Sequence, residues 1–367
     1  MVTREGAPVP SPAFALARPS AARGAELSAW DDYPVHQSAA PLATIAPALP
    51  GWAERFYFNL LKPSGEIVAI VGGGVYPARG IAECYFCRLD GDRQINVRGW
   101  SELPGRGAAL TSGPFSLRCD SPLHDWSVEV DADDARFEGR FLGTHPAYLY
   151  SAVDVPASEP GGEFDLYRHF VAVGQWQLAT FDGEGRDNLF TGVRDRTWGV
   201  RTRRIRLHNW YVFAFGDRCL TLIHQELADG SVFFSEAGVV SADGGVERLI
   251  VEQHHLLYDP QTREVIEGAF DLAGERGSLR LEYERVGRAM RLAGAGYDER
   301  QGARDTSTGT QRDEYDLGDP EVARKTGRGT MDAGARARVT GAWSAEGTGV
   351  VETAVARDHA KYGRQIR

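Results

Sequence analysis

The sequence predicts a mostly β protein made of two consecutive antiparallel barrel or sandwich lobes behind a disordered N-terminal leader. Three observations carry this expectation. Short apolar or alternating runs recur along the chain between turn residues. Glycine occurs 43 times, often at those turns, where it supplies the backbone conformations that tight connections need. Convincing amphipathic helical periodicity is nearly absent.

The first 28 residues are rich in Ala, Pro and Ser and read as a flexible leader. They hold no continuous apolar block of signal-peptide length, so a cytoplasmic location is expected. The run from Arg55 to Leu61 is followed by Lys62-Pro63-Ser64-Gly65 and then by Glu66 to Val71, which is strand, turn and strand. Trp126 to Val130 alternates apolar and polar residues, and so does Ala135 to Phe141. Pro156-Ala157-Ser158-Glu159-Pro160-Gly161-Gly162 reads as a linker. The expected lobes are residues 29–175 and 176–367, joined somewhere between about residues 156 and 190.

The second lobe has the clearer pattern. Strands are expected from Asn209 to Phe215, Cys219 to Leu227, Ser231 to Val240 and Glu247 to Leu257. Turns at Gly216-Asp217, Asp229-Gly230 and Asp243-Gly244-Gly245 make this an antiparallel meander. Residues 299–338, rich in Arg, Asp, Gly and Thr, read as loop or poorly packed surface.

Composition excludes several classes of function. The formal net charge of −10 argues against a nucleic-acid partner, which calls for a basic field. No apolar run reaches the length of a membrane-spanning helix, so stable membrane insertion is not expected. Cys84 and Cys87 form a CxxC that could be half a zinc site or a redox pair, but no second CxxC follows. They lie in a strand-like run, where they would point to opposite faces as two buried strand cysteines. Gly72-Gly73-Gly74 follows a strand without the Lys-Ser/Thr and helix of a phosphate loop, and no GxSxG elbow occurs. His208, His224, His254 and His255 show neither HxH nor HExxH spacing, so no metal and no cofactor are expected. The cluster Arg203, Arg204 and Arg206 either attracts an anionic group on a ligand or guards a solvated strand edge. The sequence leaves the oligomeric state open.

Residues 194–201 read Arg-Asp-Arg-Thr-Trp-Gly-Val-Arg. One carboxylate stands beside several guanidiniums and an indole that offers an apolar wall and a π-face. The run Asp195-Arg196-Thr197-Trp198-Gly199 resembles the Asp-His-Asn-Trp-Gly stretch of the carotenoid 1,2-hydratases (hydroxyneurosporene synthases). The longer run through Arg201 is closer to bacterial relatives in that tocopherol-cyclase-like, lipocalin-like superfamily. Asp31-Asp32, His36-Gln37, Trp52 to Phe58 and Gly74-Val75-Tyr76-Pro77 resemble the opening of those relatives. The resemblance spans roughly residues 29–300. It implies two lipocalin-like lobes and a hydratase, cyclase or isomerase that protonates a hydrophobic isoprenoid- or polyketide-like alkene without a redox cofactor. A non-catalytic carrier of a lipophilic small molecule is the alternative. Arg196 stands where the hydratases have His, and a guanidinium cannot donate a proton at neutral pH.

The candidate catalytic residues are therefore Asp195, His208, His224, Glu236 and His254. Asp195 is expected to be held ionised by Arg194, Arg196, Arg201 or Arg55, serving charge control rather than proton donation. His208 shares a strand face with Trp210, and Tyr211 lies on the other face. His224 lies with Leu220, Leu222 and Glu226, Glu236 with Phe234, and His254 with Ile250, Glu252, Leu256 and Tyr258. Trp176, Arg194, Trp198, Arg201, Trp210, Tyr211 and Phe234 are the expected substrate-binding residues, with Asp195, Trp198 and Arg201 at a pocket wall or hinge in or between the lobes.

Overall fold

A computed structural model of the chain describes residues 27–34, 52–103, 109–133, 135–151, 153–155, 165–181, 184–185, 190–199, 205–296, 307–326 and 329–366. The first sheet takes β1 (Ala53–Leu61), β2 (Ile67–Tyr76), β3 (Ile81–Asp90), β4 (Arg93–Glu102), β5 (Ala109–Ser112), β6 (Phe115–Ser121), β7 (Asp125–Val130) and β8 (Phe137–Gly143). It continues with β9 (Tyr148–Leu149), β10 (Val153–Val155), β11 (Asp165–Phe181), β12 (Glu184–Gly185) and β13 (Thr191–Gly199). A closed barrel follows: β14 (Leu207–Phe215), β15 (Arg218–Glu226), β16 (Val232–Ser241), β17 (Val246–Tyr258), β18 (Val265–Gly274) and β19 (Gly277–Arg291). After β20 (Gly309–Asp316) and the short helix α1 (Pro320–Thr326), β21 (Met331–Gly341) and β22 (Ala345–Val355) complete it.

Every pairing is antiparallel between neighbours in the order β20-β4-β3-β2-β1-β13-β11-β8-β7-β6-β5 for the first sheet. The mostly β reading is thus borne out, and α1, at seven residues, is the one α-helix among the described residues. No helix there is long and apolar enough to cross a membrane. By sheet membership the chain changes lobe between Gly199 and Leu207, while residue 176 lies inside β11. The linker expected near residues 156–164 and the leader through residue 26 lie outside the described residues.

Residues 299–338 correct the sequence expectation of loop. They include β20, which leaves the barrel and pairs with β4 at the edge of the first sheet, and much of β21, a barrel strand. Arg98 on β4 holds Asp313 on β20 at 2.6 Å, and Arg93 forks onto Glu314. On β21 the inward residues are Ala333, Ala335, Ala337 and Val339, all buried. Small side chains at these positions give a weak β signal, and ladder pairing on both sides supplies the order that local propensity does not.

Period-two alternation divides each strand between two environments. In the first lobe Phe56, Phe58, Trp126, Phe137, Phe141 and Trp176 build an aromatic core. The opposite face of that sheet, with Tyr57, Tyr85, Cys87, Val171 and Val193, packs on the outer face of the barrel, with Trp210, Ile223, Phe234 and Val350. Cys84 and Cys87 do point to opposite faces, one into each layer, as buried thiols. Gly72 allows close approach, because a Cβ there would meet Phe56 O at 2.2 Å and the Tyr85 hydroxyl at 2.5 Å. Inside the barrel, Tyr211, Phe213, Phe270 and Tyr283 fill the space in mutual edge contacts.

Two buried ion pairs tie β13 to the entering chain. Arg194 forks onto Asp32 at 2.7 and 2.8 Å, and Trp126 Nε1 and Leu123 N donate to the same carboxylate. Arg196 donates to Glu54 at 2.5 Å and to Tyr33 O at 2.9 Å, and lies over the Phe56 ring. Asp32→Ala leaves the buried guanidinium of Arg194 without its counter-charge, and should lower unfolding free energy by about 3–5 kcal/mol in urea titrations. Gly238 on β16 receives the Tyr148 ring from the other lobe, where an added Cβ would lie 2.2 Å from the ring. Gly238→Ala is expected to cost about 1–3 kcal/mol by overpacking, read as a lower thermal midpoint.

Candidate functional site

The lobe interface gathers a cluster of buried and half-buried titratable groups. β1 projects Tyr57 and Asn59 into it, β13 projects Asp195, and β11 projects His169, since Tyr57 pairs with Asp195 and His169 with Thr197 in register. The barrel answers with His208 and Trp210 from β14, Asp332 from β21 and Glu352 from β22, where Trp210 pairs with Glu352 and Asp332 with Glu352. Tyr57 Oη donates to Asp332 Oδ2 at 2.5 Å, and Asn59 Nδ2 donates to Tyr57 Oη at 3.2 Å. His208 Nε2 lies 2.7 Å from Glu352 Oε1, and Gln225 Nε2 lies 2.8 Å from His208 Nδ1. On the facing strands His169 Nε2 lies 3.2 Å from Asp195 Oδ2. The His169 ring packs on Tyr150 and Trp210, and Tyr57 meets Trp210 edge-on at 5.5 Å.

Burial grades across this cluster. Asp332 and Tyr57 are sealed from solvent. The Asp195, Glu352 and His208 side chains keep 16%, 14% and 24% exposure, so the rim of the seam is at their end. Burial pushes the Asp332 carboxyl well above the ordinary carboxylate range, and the neighbouring Glu352 and Asp195 charges push it the same way. Asp332 and Glu352 therefore work against each other's ionisation across the ladder, which favours the protonated form of Asp332. Burial, and then the charge of Asp332, also raises the Tyr57 phenol. The hydrogen-bonded series His208, Glu352, Asp332, Tyr57 connects the rim to a dry, aromatic interior.

The expected residues fall into three places. Asp195, His208, Glu236, Trp210 and Phe234 lie on the seam. Glu236 accepts from Tyr148 Oη at 2.7 Å and from Ser151 N at 3.0 Å, and pairs with Arg248, so it clamps residues 148–151 to the barrel. Trp176, Arg194 and Trp198 lie in the first lobe, on the other face of the sheet from Asp195. The pairing of Asp195 with Arg194 or Arg196 is therefore corrected: alternation along β13 sends both arginines to Asp32 and Glu54, and gives Asp195 His169. Trp198 likewise stacks with Phe170 and Arg196 rather than walling a pocket beside Asp195. Arg201, Arg203 and Arg204 lie outside the described residues.

Tyr211, His224 and His254 face the barrel interior. Tyr211 donates to Asn209 at 2.9 Å and accepts from Tyr283 at 2.9 Å. His254 does not share its face with Ile250 and Glu252 as expected. A bulge between Val251 and Gln253 breaks the alternation, leaving Ile250 71% exposed. Near the end of β15, His224 Nε2 and His359 Nε2 lie 2.9 and 2.8 Å from Glu226, and His254 Nε2 lies 3.3 Å from it. Burial works to raise the Glu226 carboxyl, but hydrogen bonds from His224 and His359 and the charge of His254 outweigh it and hold it at about 2. Burial and then the His224 charge lower His254 to about 3.

Asp332, Tyr57, Glu352 and His169 are members of the seam that sequence reading did not single out. Tyr57 had a signal, an inward phenol in an aromatic strand, but Asp332 sits in a stretch that looks like surface loop.

Residues 27–365 match the model of a family of unknown function, DUF8625, and the chain belongs to that family. No curated protein matches it in sequence. Among solved structures it is similar to a protein provisionally named AttH from Nitrosomonas europaea, at 12% identity and a TM-score of 0.50, over 86% of this chain and 99% of that one. It is also similar to kievitone hydratase from Nectria haematococca (12% identity, TM-score 0.45, 86% and 92% covered). A third is CghA with Sch210972 (12%, 0.45, 84% and 89%). Likeness at this level reaches the fold and stops there. The resemblance drawn from residues 194–201 is supported as far as the two-lobe β fold.

The Asp332 proton sets a pH dependence. The unfolded chain releases it near the ordinary value of about 4, the folded chain only at higher pH, so stability contributed by Asp332 falls as pH rises between the two. Asp332→Asn cannot ionise. Its stability relative to wild type is expected to improve as pH rises above about 4, measured by denaturant midpoints.

Proposed function

We propose that the seam is the active site of a hydratase, cyclase or isomerase acting on a hydrophobic, alkene-bearing small molecule of isoprenoid or polyketide type. The observation that supports this is a fully buried carboxyl group, Asp332, hydrogen-bonded to a phenol and surrounded by aromatic rings, where burial raises its pKa well above the ordinary carboxylate range. Protonating an alkene needs an acid of tuned pKa in a site that shelters the cation from bulk water. Asp332 supplies the proton, directly or through Tyr57, and the alkene becomes a carbocation. Trp210, Tyr57 and Tyr150 present π-faces that stabilise it. The cation then takes water or loses a neighbouring proton, either at once or after a second alkene of the same molecule has closed a ring and carried the charge to a new carbon, so every route releases one proton. The Asp195–His169 pair is placed to accept the proton released in each case. His208, at the rim, returns a proton from solvent to Asp332 through Glu352. No electron transfer is involved, so the scheme needs no redox group.

The test is to incubate purified protein with polyprenyl and polyene polyketide substrates in D2O and follow products by mass spectrometry. One deuterium per turnover is expected at a former alkene carbon in hydrated or cyclised product. Asp332→Asn and Asp195→Asn should each lower kcat by about 10²–10⁴-fold while the fold is retained. Turnover equal to wild type in both variants would sink the proposal.

A further inference from the structure

The barrel mouth holds a second cluster that the seam chemistry does not use. We propose that His224 Nε2, His254 Nε2 and Glu226 Oε1 form a binding site for a zinc-class divalent transition-metal ion, with His359 as the group that orients Glu226. The ligands come from two strands. His224 and Glu226 stand two residues apart on the inward face of β15, and His254 reaches them from β17 beyond its bulge. One ligand atom from each lies within 4.8 Å of the others. The Glu226 Oε1 contacts at 2.9 and 3.3 Å approach the edge of about 3.3 Å that a tetrahedral zinc site with metal–ligand bonds near 2.0–2.1 Å requires.

The hydrogen-bond directions separate ligand from support. Tyr362 N–H donates to His359 Nδ1 at 3.2 Å, so the proton of a neutral His359 sits on Nε2. That nitrogen faces Glu226 Oε2 at 2.8 Å. His359 therefore donates to one carboxylate oxygen and leaves Oε1 to the other two rings. This is the outer support that metal-bound carboxylates usually have. Ser235 Oγ lies 2.9 Å from His224 Nδ1 and can take a hydrogen bond from that nitrogen once an ion displaces the Nε2–H that otherwise donates to Glu226.

Without a cation this arrangement leaves buried polar atoms unmatched. The His224 and His254 rings are 4.4 Å apart, and both bring Nε2 to the same carboxylate oxygen. His254 Nε2 is buried and makes no hydrogen bond, although it points at a carboxylate oxygen. In its Nδ1–H tautomer the ring sets its Nε2 lone pair against the carboxylate, and an ion placed between them turns that repulsion into two bonds. Asn209, directly across the ladder from His224, also has a buried Nδ2 without a hydrogen-bond partner facing the same interior. Phe270 and Tyr362 close the sides with apolar surface. Two imidazoles and one carboxylate leave a fourth position to water, the ligand count of an open zinc site.

The experiment uses the full chain, stripped with a chelator and titrated with Zn2+ by calorimetry and with Co2+ by visible absorption. One equivalent per chain is expected, with the intense d–d absorption of four- or five-coordinate Co2+. His254→Gln and Glu226→Gln should weaken binding by more than about 100-fold, and His359→Ala by about 10–100-fold. His255→Ala, at an exposed neighbouring histidine, should bind as wild type does. Absence of one-equivalent uptake by the wild type overturns the site, whatever the variants do. Uptake that His254→Gln and Glu226→Gln leave intact, in variants with wild-type circular dichroism, overturns it equally, as does a weak octahedral Co2+ spectrum.

Discussion

The alternation of side chains along β13 is the constraint on which both halves of the architecture depend. Successive residues of a strand must face opposite ways, so Arg194 and Arg196 enter the first lobe while Asp195 enters the seam. The two arginines bring charge into an apolar core, and each is matched by one buried carboxylate, Asp32 or Glu54, and by aromatic faces. Those pairings draw residues 27–34 onto the sheet and hold β13 in place. The same strand then presents Asp195 to the barrel at a fixed height. A stretch that looks like one charged motif is two motifs interleaved, one structural and one facing the seam.

The seam itself follows from two sheets that bury both faces where they meet. An antiparallel sheet commonly leaves one side to water, as β17 to β19 do, but the outer face of β14 to β16 and β22 is covered by the other lobe. Polar groups on that face lose solvent without losing their chemistry. Asp332 is the extreme case. On an open barrel it would be an ordinary exposed carboxylate. Covered by Tyr57 and set beside Glu352, it holds its proton to higher pH than an ordinary carboxyl group does. β20 strengthens the cover by leaving the barrel to extend the first sheet, so a single chain excursion binds the two lobes through Arg98–Asp313 and Arg93–Glu314.

The barrel mouth is controlled by different elements. The residues after β22 fold back across the barrel end, where Tyr362 and Ile366 are buried and His359 meets Glu226. The cluster there is polar because the apolar filling of Tyr211, Phe213, Phe270 and Tyr283 ends at it. Seam and mouth lie on opposite faces of the same strand β15, with Gln225 serving one and His224 and Glu226 the other.

The sequence by itself determined the class of fold, the strand order of the meander from Asn209 to Leu257, the opposed directions of Cys84 and Cys87, and the two faces of β14. These are properties of period and turn chemistry, which act over a few residues and are written in adjacent letters. Only the tertiary structure decided that Asp195 pairs with His169, that Asp332 lies in the candidate site, and that three histidines converge on Glu226. Those contacts join residues far apart in the chain through sheet pairing, lobe packing and a bulge that reverses facing in β17. Whether a carboxyl group keeps its proton depends on what covers it, and local sequence does not record the covering surface.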